Sequence, residues 1–284
     1  MPRLKRDTLD VREIIGKLDS GSVQLDPYPH LVIPDFLPPE IYQELDESYP
    51  DIETIVGRGV PGNNRRHQIN AATGLGHTKL SDVWEDFVRI LVSKDWWQAV
   101  AGVFTEGIRL EHPELENMIG KPLAEFDVGV RGVDKADVLL DCQPGINTPV
   151  TKKSSVRGPH IDNPVELFGG LLYFRDPADD SEGGDLLLCR HRNQNPVFWG
   201  KAELLEEDVI IAERVPYAAN TLVLFVNSIN AVHGVSPRTV TSYPRRLVNI
   251  IGEVYQGGGL FQIPRDRSLW GRIKNRWYQR RYGW

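Results

Sequence analysis

The period of apolar positions changes near the middle of the chain. Through residue 121 it is mainly helical. Residues 9–18 read as a short helix and 27–33 as a strand with a rigid, proline-flanked approach. A helix is predicted over 35–49, with Asp35 as N-cap, Pro38 and Pro39 in the first turn, and Ile41 and Leu45 one turn apart. Val83, Phe87, Ile90 and Leu91 make the apolar face of the next helix. Another runs from Lys94 through Trp97, Val100, Ala101 and Phe104, and Ser81 and Ser93 suit the N-caps of the pair. Beyond Pro122 the apolar runs shorten to strand length, at 136–142, 170–174, 185–189, 209–211, 221–226 and 247–251. The turn-rich run Asp179-Asp180-Ser181-Glu182-Gly183-Gly184 reads as a hairpin loop between two of them. Short strands in series predict a β-sandwich or jelly roll. The expected class is therefore α+β with a mainly β core. A single domain over 1–284 is expected: a mainly helical part (1–121), a jelly-roll core (122–256) and a basic, aromatic tail (257–284).

Composition narrows the class without choosing a function. The 284 residues are 40% apolar and 25% charged, with a net charge of −6, which suits a soluble protein and disfavours a nucleic-acid surface covering the whole molecule. Cys142 and Cys189 lie in apolar runs and read as reduced, buried thiols, in keeping with a cytoplasmic protein. The basic start lacks the apolar stretch of a signal peptide, and no apolar run is long enough to span a bilayer. From residue 265 onward, seven basic residues interleave with Trp270, Trp277, Tyr278, Tyr282 and Trp284. That pattern can bind an anionic surface, but it equally describes a terminal helix docked through its aromatics, the reading preferred here.

The candidate chemistry begins at Gly158-Pro159-His160-Ile161-Asp162-Asn163. On an extended chain His160 and Asp162 project to one side, which supplies an imidazole and a carboxylate for a metal. Of the seven histidines (30, 67, 77, 112, 160, 191 and 233), His233 follows a confident strand and sits beside a glycine. Arg245 and Arg246 lead into the last strand, where a guanidinium can grip a carboxylate through parallel hydrogen bonds. Strand alternation lets only one of these two face inward.

Taken together, His160-x-Asp162, His233 and Arg245/Arg246 resemble the Fe(II)/2-oxoglutarate-dependent oxygenases, most closely the prolyl-4-hydroxylase-like branch. Further support comes from Leu172-Tyr173-Phe174-Arg175, Glu182-Gly183-Gly184-Asp185-Leu186, Asn220-Thr221-Leu222-Val223-Leu224-Phe225 and His233-Gly234-Val235-Ser236-Pro237. The resemblance is good over about 155–255 and loose over the first third. It implies a double-stranded β-helix with His160, Asp162 and His233 as catalytic iron ligands, and with 2-oxoglutarate and O2 as co-substrates. Arg246, with Arg245 as the close alternative, is implied to hold the distal carboxylate of 2-oxoglutarate, assisted by Tyr173. The implied activity is a dioxygenase coupling decarboxylation of 2-oxoglutarate, to succinate and CO2, with hydroxylation of an unactivated C–H bond. Family members that halogenate carry a small residue where Asp162 stands, so the carboxylate favours hydroxylation or a related oxidation.

For the substrate, a small molecule is the leading expectation: an amino acid, a sugar or nucleotide derivative, or a natural-product intermediate. The Gly- and Asn-rich loop 57–76, with Arg58, Arg65 and Arg66, can line the mouth and meet an anionic substrate, as can Lys152, Lys153 and Arg157, with Asn163 nearby. No nucleic-acid partner and no membrane span are expected. The alternatives are a prolyl or other side-chain hydroxylase of proteins, a cupin-like metal-binding protein or isomerase without a co-substrate, and a non-catalytic binding jelly roll. An open groove with a free sheet edge favours a protein substrate, and a pocket closed by 57–76 favours a small one.

Overall fold

The computed structural model describes residues 9–57, 62–76, 80–200 and 202–265, with Ser268 and Arg276. The basic start, Arg58, His77 and, beyond Arg265, all of the basic–aromatic tail except Ser268 and Arg276 lie outside the described residues. In chain order the first elements are α1 (Val11–Ile15), β1 (His30–Ile33), α2 (Pro39–Glu47), α3 (Ile52–Val56), β2 (Arg66–Gln68), α4 (Ala71–Gly74), α5 (Asp82–Leu91), α6 (Lys94–Glu111) and α7 (Leu115–Ile119). The strands that follow are β3 (Val128–Val130), β4 (Val138–Asn147), β5 (Glu166–Tyr173), β6 (Leu186–His191), β7 (Val209–Val215), β8 (Leu222–Val226), β9 (His233–Val235) and β10 (Arg245–Glu253). No helix among the described residues is long and apolar enough to cross a membrane.

The strands form two sheets. The larger runs β1-β8-β5-β10-β4-β2, antiparallel at every step, with β3 parallel to β4; the smaller runs β7-β6-β9. Strand alternation gives the large sheet two distinct faces. Val248 and Ile250 of β10, Leu222 and Leu224 of β8, and Cys142 of β4 join Trp84, Phe87, Trp97, Val100 and Phe104 of α5 and α6 in the main core. The intervening Leu247, Tyr173, Leu171, Val223 and Phe225 turn the other way and meet Leu186 and Leu188 of the small sheet. The helices thus cover the outer face, and the inner faces of the two sheets enclose the space in which a site can sit. This is the double-stranded β-helix, or jelly roll.

Several expectations change in detail. Asp35 does not cap α2; it sits at φ 48°, and the helix starts at Pro39 with Pro38 as N-cap. A residue preceding proline is driven out of the helical region, so two successive prolines delay the start. Ser81 occupies the N-cap position of α5 without a side-chain bond, whereas Ser93 accepts from the Trp96 amide. The stretch 57–76 is not all loop: β2 pairs with the edge of β4, and α4 follows it. The run 179–184 does not join a hairpin. Strand β5 is already paired on both sides, to β8 and β10, so the chain crosses to the other sheet and β6 pairs there. Gly183 (φ 81°) makes that corner, where a Cβ would stand 2.1 Å from the Pro237 carbonyl oxygen.

Candidate active site

His160, Asp162 and His233 converge, although neither His160 nor Asp162 belongs to a regular strand. His160 makes a single antiparallel bridge to His233, through His160 N–H to His233 O at 2.8 Å and the reverse bond at 2.9 Å. That bridge places the two rings 4.2 Å apart. Asp162, beyond the bridge, brings its two oxygens to 3.6 Å from His160 Nε2 and 3.3 Å from His233 Nε2. One ligand atom from each residue lies within 4.8 Å of the others, so the group can hold a metal ion. Both Nδ1 atoms face backbone carbonyls, Gly158 O at 2.8 Å and Ala231 O at 3.0 Å. That pairing puts the ring proton on Nδ1 and leaves Nε2 as the lone-pair donor a metal needs.

The electrostatics agree with that role. Burial, then the Arg157 and His233 charges, push His160 down to about 3, so the imidazole is neutral at physiological pH. Burial opposes ionisation of Asp162, but His233 and contacts with both imidazoles outweigh it and hold the carboxyl well below its usual range. Phe225 packs on His233 at 4.7 Å between centroids. Gly169 leaves room in front of Asp162, since a Cβ there would lie 3.0 Å from the Phe225 ring and 3.5 Å from Asp162 Oδ2. The other described histidines are otherwise engaged or apart from the triad. His30 contacts Tyr28 O and Glu213, His112 and His191 contact the Asn227 and Ile229 carbonyl oxygens, and His67 sits on β2.

Beside the triad lies a cavity of about 660 Å³ lined by residues of both sheets. The adjacent arginines part company here, as alternation demands. Arg245 lines the cavity and is 2% exposed. Arg246, the first choice from sequence, turns to the outer face. There it bonds the Phe174 carbonyl, pairs with Asp46 at 2.9 Å and lies over the Tyr49 ring. Arg245 is pinned by Nε to Gly184 O and Nη1 to Asn147 Oδ1, with its guanidinium 4.8 Å from the Tyr173 ring centre. Its Nη2, Asn147 Nδ2 and the Tyr173 hydroxyl are all buried without a hydrogen-bond partner of good geometry among the described residues. They belong to neighbouring strands, with Arg245 opposite Asn147, and Tyr173 opposite Leu247 two residues along β10. Buried donors left unmade are costly, so three grouped together mark a place for an acceptor, and a carboxylate supplies the right atoms.

Asn147 escaped sequence reasoning. Its only signal is that a polar residue stands at an inward position of a strand whose inward positions also include Gln143. Arg65, Arg66 and Arg157 also line the cavity, whereas Lys152, Lys153 and Asn163 are exposed residues outside it.

No family model and no curated protein matches the sequence. Solved structures do match. A prolyl 4-hydroxylase from Phytophthora capsici is 15% identical, with a TM-score of 0.51, over 96% of this chain and 77% of that one. The fold is the one that enzyme uses. Also similar are a prolyl-4-hydroxylase from Pseudomonas putida (13% identity, 86% of this chain and 99% of that one, TM-score 0.41) and HygX from Streptomyces hygroscopicus, solved with nickel and 2-oxoglutarate (14%, 89% and 88%, 0.41).

Proposed function

We propose that this protein is an Fe(II)- and 2-oxoglutarate-dependent dioxygenase of the prolyl-4-hydroxylase-like branch, acting as one oxygenase unit that hydroxylates an unactivated C–H bond of a small molecule. The observation that carries the reading is a cavity lined both by a His-Asp-His cluster and by Arg245 and Asn147, whose buried Nη2 and Nδ2 donors lack partners among the described residues, with Tyr173 packed against the Arg245 guanidinium. His160, Asp162 and His233 would hold the iron through the Nε2 atom of each imidazole and one carboxylate, a mixed donor set that suits Fe(II). Arg245, Asn147 and Tyr173 hold the distal carboxylate of 2-oxoglutarate, and Arg246 serves the fold instead. When bound, the iron and 2-oxoglutarate supply the oxidising chemistry, with succinate and CO2 as co-products. The chain contributes placement. The two backbone-anchored imidazoles keep their orientation, Asp162 stays ionised, and Phe225 and the β-helix walls restrict water.

A small-molecule substrate is favoured because Arg65 and β2 (Arg66–Gln68), which pairs with the β4 edge, contribute to the wall of the cavity. A cupin-like protein without a co-substrate has no use for a buried arginine with a free Nη2. The test is anaerobic binding of Fe(II) and then 2-oxoglutarate, followed by succinate release in air across a substrate panel. Absence of both binding and succinate, with His160→Ala behaving as wild type, sinks the reading.

A further inference from the structure

We infer that the substrate carries an anionic group, a carboxylate or a phosphate, which Arg66 binds at the wall that β2 gives the cavity. The inference rests on the proposed 2-oxoglutarate site and goes beyond it to the substrate.

The argument starts from strand register. Arg66 of β2 lies opposite Asn147 of β4, and Asn147 lies opposite Arg245 of β10, so the three form one row across adjacent strands. Cα atoms two strands apart are separated by about 10 Å, so Arg66 offers a second guanidinium alongside the first. The two differ in what they touch. Arg245 is tied to Gly184 and Asn147, whereas Arg66 has no side-chain hydrogen bond or ion pair to any described residue, although it lines the cavity. Arg66 is an exposed residue by surface area, yet the protein atoms around its guanidinium take away part of its hydration. That desolvation, followed by the Arg245 charge, lowers its pKa to about 10, and it remains a cation.

Charge balance leads to the same end. Ferrous iron and Arg245 together cancel Asp162 and the two carboxylates of 2-oxoglutarate. Arg131, also in the lining, is committed to Glu253 at 2.7 Å and Asp141 at 3.2 Å. Arg66 remains, with Arg65 beside it and Arg157, whose ion pair among the described residues is a long 3.4 Å contact to Asp162. The acids facing them in the lining are Glu203 and Glu166, and burial with Asp162 and Glu253 nearby pushes the Glu166 carboxyl toward its neutral form. A guanidinium beside Arg245 and Arg157, with no ion pair of its own to a described residue, gains from an arriving anion, and its fork matches carboxylate and phosphate equally.

The experiment uses the full chain loaded with Mn(II) and saturating 2-oxoglutarate, titrated calorimetrically with hexanoate, hexanamide and hexyl phosphate. At least one anion should bind about tenfold or more tighter than the neutral amide. A preference between the two anions then names the group. Arg66→Gln should erase the advantage over the amide, Arg66→Lys should restore part of it, and 2-oxoglutarate affinity should stay within about twofold in both. The inference is overturned if 2-oxoglutarate binds but neither anion outbinds the amide, or if Arg66→Gln keeps the preference. Failure of 2-oxoglutarate itself to bind overturns the underlying function as well.

Discussion

Replacing Arg245 with glutamine while making the same change at Arg246 tests the co-substrate site with adjacent residues of equal chemistry. Arg245 is 2% exposed, and its Nε and Nη1 are already satisfied by Gly184 and Asn147, so the guanidinium is held still before any ligand arrives. Truncating one partner of a buried, hydrogen-bonded charge pair costs roughly 2–5 kcal/mol, or about 30-fold to a few thousand-fold in Kd. For 2-oxoglutarate titrated into the Mn(II)-loaded protein by calorimetry, Arg245→Gln should weaken binding by about 100-fold or more. It should also cost about 1–3 kcal/mol of stability through the lost bond to Gly184. Arg245→Lys keeps the charge without the fork and should fall between the two. Arg246→Gln removes the contacts to Asp46 and the Phe174 carbonyl on the outer face, so it should lower the melting temperature and leave 2-oxoglutarate affinity within about twofold. If Arg246→Gln weakens 2-oxoglutarate binding as much as Arg245→Gln, the placement of the co-substrate is refuted.

Three further outcomes are expected. His160→Ala should weaken Mn(II) binding by more than about 100-fold, beyond what loss of a mere supporting partner costs, while its backbone bridge to His233 persists in circular dichroism and melting. Gly183→Ala should destabilise by about 2–4 kcal/mol in urea denaturation, combining a left-handed backbone with the 2.1 Å approach to Pro237 O. Burial, with Asp162 and Glu253 nearby, raises the Glu166 pKa, so the folded protein retains a proton there after the unfolded chain has released it. Stability from this group is present below the ordinary glutamate pKa and is lost as pH rises toward the raised value. Glu166→Gln should therefore raise the melting temperature at pH 8 relative to pH 4, and an equal effect at both would contradict the raised pKa.

The sequence by itself determined the fold class and most of the candidate site. Apolar period separated the helices from the strands, because burial of one face writes itself into spacing. His160, Asp162, His233 and Tyr173 were readable because each belongs to a local motif. What escaped was whatever depends on strand pairing. The corner at 179–184 looks like a hairpin in one dimension; only the saturation of β5 on both edges sends β6 to the other sheet. Strands β2, β3 and β9 have three residues each, too few to show a period. Arg245 and Arg246 are indistinguishable as residue types, and alternation allows one inward side chain without saying which. Pairing with β4 and β5 decided it, turning Arg245 toward Asn147 and Tyr173 and Arg246 toward Asp46. The same pairing set Arg66 in line with Arg245, a relation that no spacing along the chain contains, because inward and outward are defined only once the two sheets face each other.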